Sequence, residues 1–255
     1  MQRRFVLLLA TTLVCASALF AQSSSRKDST LDNIQWVRRI SLGGSFSVLP
    51  RFPMRDGSSS QTSTNLEVNA ATSAIGHRVG FGGLVQVALP KRLAIAGSVI
   101  AHRSEHSSSS DTFEGIDRPT TPQDERILTQ RNSTTTARFW DLNILVRRYS
   151  REHYEPGTRW FYEAGPVFRR AVKVRTNGDF SVEGADFQPD PNPRSPLANR
   201  TARGVTVGIG VQFVDDIGIR VVPEFRYTRF VTRTFDYLSA QSRPDQLQAL
   251  ISITF

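Results

Sequence analysis

From Ile40 to the final residue, apolar and polar side chains alternate in eight separate stretches. Period two marks a β-strand with one apolar face, because successive side chains point to opposite sides of a sheet. In the last stretch Leu247, Ala249, Ile251, Ile253 and Phe255 share one parity, and Gln248, Ser252 and Thr254 hold the other, with Leu250 the apolar exception. The spacing predicts seven further strands, at about 40–51, 79–89, 93–103, 136–149, 158–171, 205–213 and 219–230. The cleanest sets Val205, Val207, Ile209, Val211 and Phe213 against Thr206, Gly208, Gly210 and Gln212. Pro223 falls in mid-strand and removes a ladder donor, which predicts a bulge there; Pro166 raises the same problem.

The links between strands carry a second pattern. Residues 52–76, 104–134 and 172–203 are rich in Ser, Thr, Asn, Gly or Pro and read as mobile loops; the third can extend the strand hairpin through Val172 and Val174 before dissolving into Gln188–Asn199. Residues 231–246 form a shorter polar link. In between come short turns at Pro90–Lys91, Ser150–Gly157 and Asp215–Gly218, so long and short links alternate strictly. Bacterial outer-membrane barrels combine an even strand number with short periplasmic turns and long extracellular loops. Strands of roughly 10 to 14 residues are long enough to cross hydrocarbon at a tilt. Open sheet edges are excluded there, since each unpaired amide would cost several kcal/mol. The expected fold is therefore all-β, an eight-stranded antiparallel up-and-down transmembrane β-barrel over residues 37–255.

Residues 1–21 read as a signal peptide. Arg3 and Arg4 precede an apolar run from Phe5 to Phe20, broken by Thr11, Thr12 and Ser17, and cleavage after Ala18 or Ala21 fits the small-residue exit. The run is shorter than the roughly 20 residues of a spanning helix. Residues 22–36 are a polar, flexible lead-in. The single cysteine, Cys15, lies in the signal, so the mature chain holds together without disulfides. Loss of Arg3 and Arg4 lowers the formal charge from +9 to +7. Export and the scatter of these charges argue against nucleic acid as a partner.

The polar parity carries Asp141, Arg147, Glu163, Arg169, Arg220, Glu224 and Arg226 beside small residues. Such a set suits the interior of a narrow barrel, where acids and bases must pair because an unpaired buried charge is expensive. The reading is a lumen charge network led by Glu163, Arg220, Glu224 and Arg226. The apolar parity is almost free of charge and has aromatic residues at both ends: Phe81, Trp140, Phe168 and Tyr227 toward the long links, Trp160, Phe213 and Phe255 toward the short ones. That is the double girdle of membrane barrels. The competing fold is a soluble, lipocalin-like ligand carrier with the apolar parity turned inward.

No acid pair of defined spacing, metal cluster, cofactor motif or nucleophile–base pair stands out. Ser98 and His102 are four strand residues and so about 13 Å apart. No catalytic residue is expected, His102 reads as a polar interior or rim residue, and His77 and His106 read as loop residues.

The alternating segments, the link pattern and the terminal Ala249–Phe255 resemble the small outer-membrane β-barrel family of the OmpA N-terminal domain, OmpX and OmpW. The resemblance implies a location in the outer membrane of a Gram-negative-type bacterium, with membrane lipid, periplasmic chaperones and the barrel assembly machinery as partners. It implies an assembly signal at Ile251, Ile253 and Phe255. A monomer is expected, and with no peptidoglycan-binding domain expected after the barrel the tethering role of full-length OmpA proteins is not implied. Function in that family varies, and fold alone does not choose among its members. The expectation is a non-enzymatic structural or surface-interaction protein with a filled polar lumen; the alternative is a narrow channel or transporter for small solutes.

Overall fold

The computed structural model describes residues 39–75, 77–116, 124–152, 157–215 and 218–255. The signal segment and lead-in lie outside these residues. The described chain is all-β, built on a large antiparallel sheet, and none of its helices is long and apolar enough to cross a membrane.

Fourteen strands follow in order. The first six are β1 (Ile40–Val48), β2 (Met54–Arg55), β3 (Gly57–Ser63), β4 (Leu66–Ile75), β5 (Val79–Leu89) and β6 (Leu93–Glu114). Then come β7 (Ile127–Tyr149), β8 (Arg159–Val182), β9 (Gln188–Pro189) and β10 (Thr201–Val214). The last four are β11 (Arg220–Phe230), β12 (Asp236–Tyr237), β13 (Ala240–Ser242) and β14 (Asp245–Thr254). Eight of them, β1, β5, β6, β7, β8, β10, β11 and β14, coincide with the alternating stretches of the sequence, and each has a hydrogen-bonded neighbour on both sides. The first and last strands pair, with Gly43 opposite Thr254 and Val48 opposite Ala249. At the chain end Phe255 N–H donates to Leu42 O at 2.9 Å and Leu42 N–H donates to Phe255 O at 3.1 Å.

Burial is inverted relative to a water-soluble domain. The apolar parity is exposed, from Leu42 and Phe46 on β1 to Ile251 and Ile253 on β14, while Ser41, Gln86, Asp141, Arg147, Glu163, Glu224 and Ser252 of the other parity are buried. Leu84, Leu145, Phe161 and Leu250 are apolar members of the buried face and fill space between the polar groups.

Three expectations are corrected. The long links are not structureless: β6, β7 and β8 run on to Glu114, back to Ile127 and on to Val182, and 52–76 holds β2 and the β3–β4 hairpin, with β4 paired to β6. Where both faces of a ladder meet polar surroundings, no apolar period is needed. Serine and threonine side chains instead bond across strands, as Thr135 does to Thr176 at 3.0 Å. Second, 231–246 is more than a connector. It supplies β12 and β13, pairs with β2, and drives Phe235 into a core with Met54, Phe139, Ala171 and Ala240. Third, neither mid-strand proline makes a bulge. Register is the same on both sides of Pro223 in the β10–β11 ladder and of Pro166 in the β7–β8 ladder, with two residue pairs omitted at each. One missing donor interrupts a ladder without inserting a residue. The register shift lies instead between Thr136 and Arg138, opposite Lys173, which has φ 53°.

The reversal after β5 uses Lys91 and Arg92, both with positive φ, near 62° and 64°. Such paired left-handed residues match the twist of a hairpin. At the β1–β14 seam, a Cβ on Gly43 would run into the backbone carbonyl of Ile253, whereas one on Gly44 would meet open space. Gly43→Ala is therefore expected to lower the yield of folded protein sharply while Gly44→Ala leaves it near wild type, read as the folded fraction on an unheated gel after refolding in detergent.

Candidate functional site

Alternation on β7, β8 and β11 delivers four charges to one place on the buried face. Arg147 donates from Nε to Glu163 Oε2 at 2.7 Å and from Nη2 to Glu224 Oε2 at 2.5 Å. Arg226 donates from Nε to Glu163 Oε1 at 2.7 Å, and its Nη2 lies 2.7 Å from Glu224 Oε1 as an ion pair. The two arginines and two glutamates are thus cross-linked in a cycle, with side chains at most 1% exposed. Gln86 on β5 accepts from Arg147 Nη1 and from Tyr149 Oη, both at 2.9 Å, and Ser98 Oγ accepts from Arg226 Nη1 at 3.1 Å. Arg147 also stacks over Phe161, 4.6 Å from the ring centre. Arg147 and Glu163 face each other on adjacent strands, whereas the bonds from Arg147 to Glu224 and Gln86 and from Arg226 to Glu163 and Ser98 join strands that are not neighbours in the sheet.

A second cluster lies nearer the long links. Asp141 and Arg169 are directly opposite in the ladder and form a two-bond pair, both at 2.7 Å. Arg169 also donates to Gln246 Oε1 and sits between the rings of Phe230, at 4.3 Å, and Phe139, at 5.1 Å. His102 Nε2 approaches Asp141 Oδ2 at 3.4 Å and Gln248 Nε2 at 3.3 Å. Of the seven charges predicted for the network, four enter the first cluster and two the second. Arg220 donates to Ser41 Oγ. Gln86, Tyr149, His102, Gln246 and Gln248 were not among the predicted members. Their inward parity was the available signal, but a neutral polar residue there gives no hint of which charge it serves.

The predicted girdle residues Phe81, Trp140, Trp160, Phe168, Phe213 and Phe255 are all exposed on the apolar face. Tyr227 is half-buried and its hydroxyl donates to Asp245 Oδ1 at 2.5 Å. Ile251 and Ile253 on β14, and Phe255 just after it, are exposed on the same side.

Toward the long links, β6 carries His106 well past the apolar stretch. It is not a loop residue: it is 2% exposed and meets the Phe235 ring edge-on at 5.4 Å. Its Nε2 has no hydrogen-bond partner among the described residues. Burial pushes its pKa down to about 4, so it is neutral at pH 7. Beside it opens a cavity of about 440 Å³ lined by hydroxyls such as Ser108, Ser110, Thr112 and Thr135, with Arg131 and Arg194 among the charged lining residues. Among the described residues no group of three or more His, Cys, Asp or Glu is placed to hold a metal ion.

No protein-family model matches the chain, and no curated protein matches it. Solved structures similar to it include Ail, the attachment invasion locus protein of Yersinia pestis, in complex with the heparin analogue sucrose octasulfate. That similarity is at 10% identity and TM-score 0.30, over 84% of this chain and 94% of that one. Another is LpxR from Salmonella typhimurium, at 9% identity and TM-score 0.31, over 84% of this chain and 99% of that one.

Removing Arg147 leaves two buried carboxylates facing one arginine. Arg147→Ala is expected to destabilise the protein by about 3–5 kcal/mol, measured by urea unfolding in detergent micelles; a loss under 1 kcal/mol would mean the cycle contributes little. His106 gives a pH dependence of definite sign. Its ordinary value is 6.5 and its folded value about 4, so between these the unfolded chain takes up the proton the folded chain refuses. Stability is full above pH 6.5 and falls as pH drops toward 4, by at most about 3 kcal/mol. His106→Phe should flatten that part of the pH profile; an unchanged profile would assign it to other groups.

Proposed function

We propose that this chain is an outer-membrane protein: a closed, eight-stranded transmembrane barrel with a filled, charge-paired interior, serving a structural or surface-interaction role without catalysis. The observation that carries this reading is the inverted burial, with hydrocarbon-compatible side chains outside and paired guanidinium and carboxylate groups inside. Continuous pairing of each of the eight strands on both sides supports closure, because amides without water must bond to one another. The width of the apolar face fits as well. On β6, β7, β8 and β10 an outward arginine lies ten positions from the outward residue at the short-turn end: Arg103 from Leu93, Arg138 from Arg148, Arg170 from Trp160 and Arg203 from Phe213. Ten residues at about 3.3 Å, tilted about 40°, rise about 25 Å, the height of a membrane barrel's apolar band.

A soluble ligand carrier would need that apolar face inward, where Arg147 and Glu163 already sit. A channel would need an open path past the Arg147–Glu163–Arg226–Glu224 cycle, whose side chains touch across the interior. The role of the strands beyond the membrane is surface recognition, since rigid scaffolds commonly present binding elements at one end.

The test is cell fractionation, unheated and heated gel electrophoresis, and reconstitution into planar bilayers. The expected result is an outer-membrane band that migrates faster before heating and gives no reproducible conductance steps. Recovery in the soluble periplasmic fraction would overturn the membrane reading, and discrete steps of reproducible size would overturn the filled interior.

A further inference from the structure

Five arginines, Arg103 on β6, Arg138 on β7, Arg170 on β8, Arg203 on β10 and Arg229 on β11, occupy one level of the exposed face. The five strands are consecutive neighbours in the sheet. On each, the arginine is the outward residue just beyond the apolar stretch on the long-link side: after Ala101, Trp140, Phe168, Val205 and Tyr227 respectively. Register joins them into an arc. Arg103 is directly opposite Arg138. Arg170 pairs with Trp140 and so lies diagonal to Arg138, Arg203 pairs with Phe168 and lies diagonal to Arg170, and Arg229 pairs with Val205 and lies diagonal to Arg203. Direct and diagonal neighbours on one face are roughly 5 to 8 Å apart.

Like charges at this spacing repel, so the arc is unfavourable unless anions share it. The protein supplies few. Glu105 lies 3.4 Å from Arg103 and Asp245 3.5 Å from Arg229, at the two ends of the arc. Among the described residues no carboxylate forms an ion pair with Arg138, Arg170 or Arg203. The other margin of the same strands shows that the pattern is one-sided: the corresponding outward residues there are Leu93, Arg148, Trp160, Phe213 and Val221. One of these is a cation, and Lys91 and Arg92 lie in the turn just before Leu93, but no arc of five arginines forms at this margin.

Resting on the membrane reading above, we infer that this arc is a binding surface for anionic, phosphate-monoester headgroups of lipid in the leaflet on the long-link side. Each guanidinium can grip a phosphate through two parallel N–H donors. The level of the arc selects lipid over a soluble polyanion. Arg170 and Arg203 stand directly opposite Trp140 and Phe168, aromatic residues of the kind that sit at headgroup depth. A ligand held there has its phosphate on the arginines and its acyl chains along Val99, Leu142, Ile144 and Val207.

The experiment uses the full mature chain in phosphatidylcholine nanodiscs doped with diphosphorylated lipid A, or with the same glycolipid after enzymatic dephosphorylation. Lipid retained by the protein after transfer to detergent is counted by native mass spectrometry. The wild type is expected to retain the phosphorylated form preferentially. Each Arg→Gln change among Arg138, Arg170 and Arg203 should lower that preference about fivefold, while Arg148→Gln should not change it. Replacing all three by Lys should keep part of the preference, a readout that loss of folding would not give. Equal retention of both glycolipids would overturn the inference, as would an undiminished preference in the triple Gln variant. Stronger retention of dextran sulfate than of the phosphorylated lipid would overturn it in favour of a polyanion site. A chain that fails to enter the nanodiscs at all would instead sink the membrane reading, so the two failures are distinguishable.

Discussion

Pairing among buried charges is the constraint on which the rest of this structure depends. Taking a carboxylate or guanidinium out of water costs several kcal/mol, which is recovered only by close opposite charge and full hydrogen bonding. The inner face answers with Arg147, Glu163, Arg226 and Glu224, whose charges cancel within the cycle; three of its four contacts are hydrogen bonds, and Arg226 Nη2 meets Glu224 Oε1 as an ion pair alone. Because the four residues come from β7, β8 and β11, the cycle forms only when those strands adopt one mutual stagger. A one-residue slip of any strand would turn its charge outward and bring an apolar side chain in. The charge cycle therefore fixes the register of these three strands, and through register which of their residues face outward.

The same logic explains how much could be read from the sequence. The eight long strands were legible because one face of each is uniformly apolar, so period two survives along Val205–Phe213 and Leu247–Phe255 without ambiguity. The inward charges were legible by parity alone. Their partners were not: Arg220 carries the same parity and charge as Arg226, and its bond to Ser41 joins β11 to β1, a partner that parity does not indicate. Partner choice depends on the stagger between non-neighbouring strands, a quantity that local periodicity does not contain.

The extensions of β6, β7 and β8 were illegible for a different reason. From Ser107 to Ser110, and again from Ser133 to Thr136, both faces of the ladder are polar, so no alternation is written into the chain. The backbone pairs regardless, Ser108 opposite Ser133 and Thr135 opposite Thr176. Phe235 was hidden similarly. A single aromatic in a polar link has no periodic companions, and only the fold shows that Met54, Phe139 and Ala171 surround it.

These extensions change what the outer end can do. A flexible loop must lose conformational entropy on binding, whereas paired strands have lost it already, so a site built on them holds its donors in place before the ligand arrives. The hydroxyls of Ser108, Ser110 and Thr135 beside the cavity are carried by β6 and β7 at fixed register, and His106, which lines the same cavity, packs edge-on against Phe235, whose ring in turn meets Phe139. Charge is distributed to match. Inside, each arginine of the cycle contacts both glutamates. On the outer face, Arg138, Arg170 and Arg203 are exposed beside aromatic residues and have no acidic partner among the described residues. One sheet thus uses the same residue type in two opposite ways, and the alternation of its strands decides which.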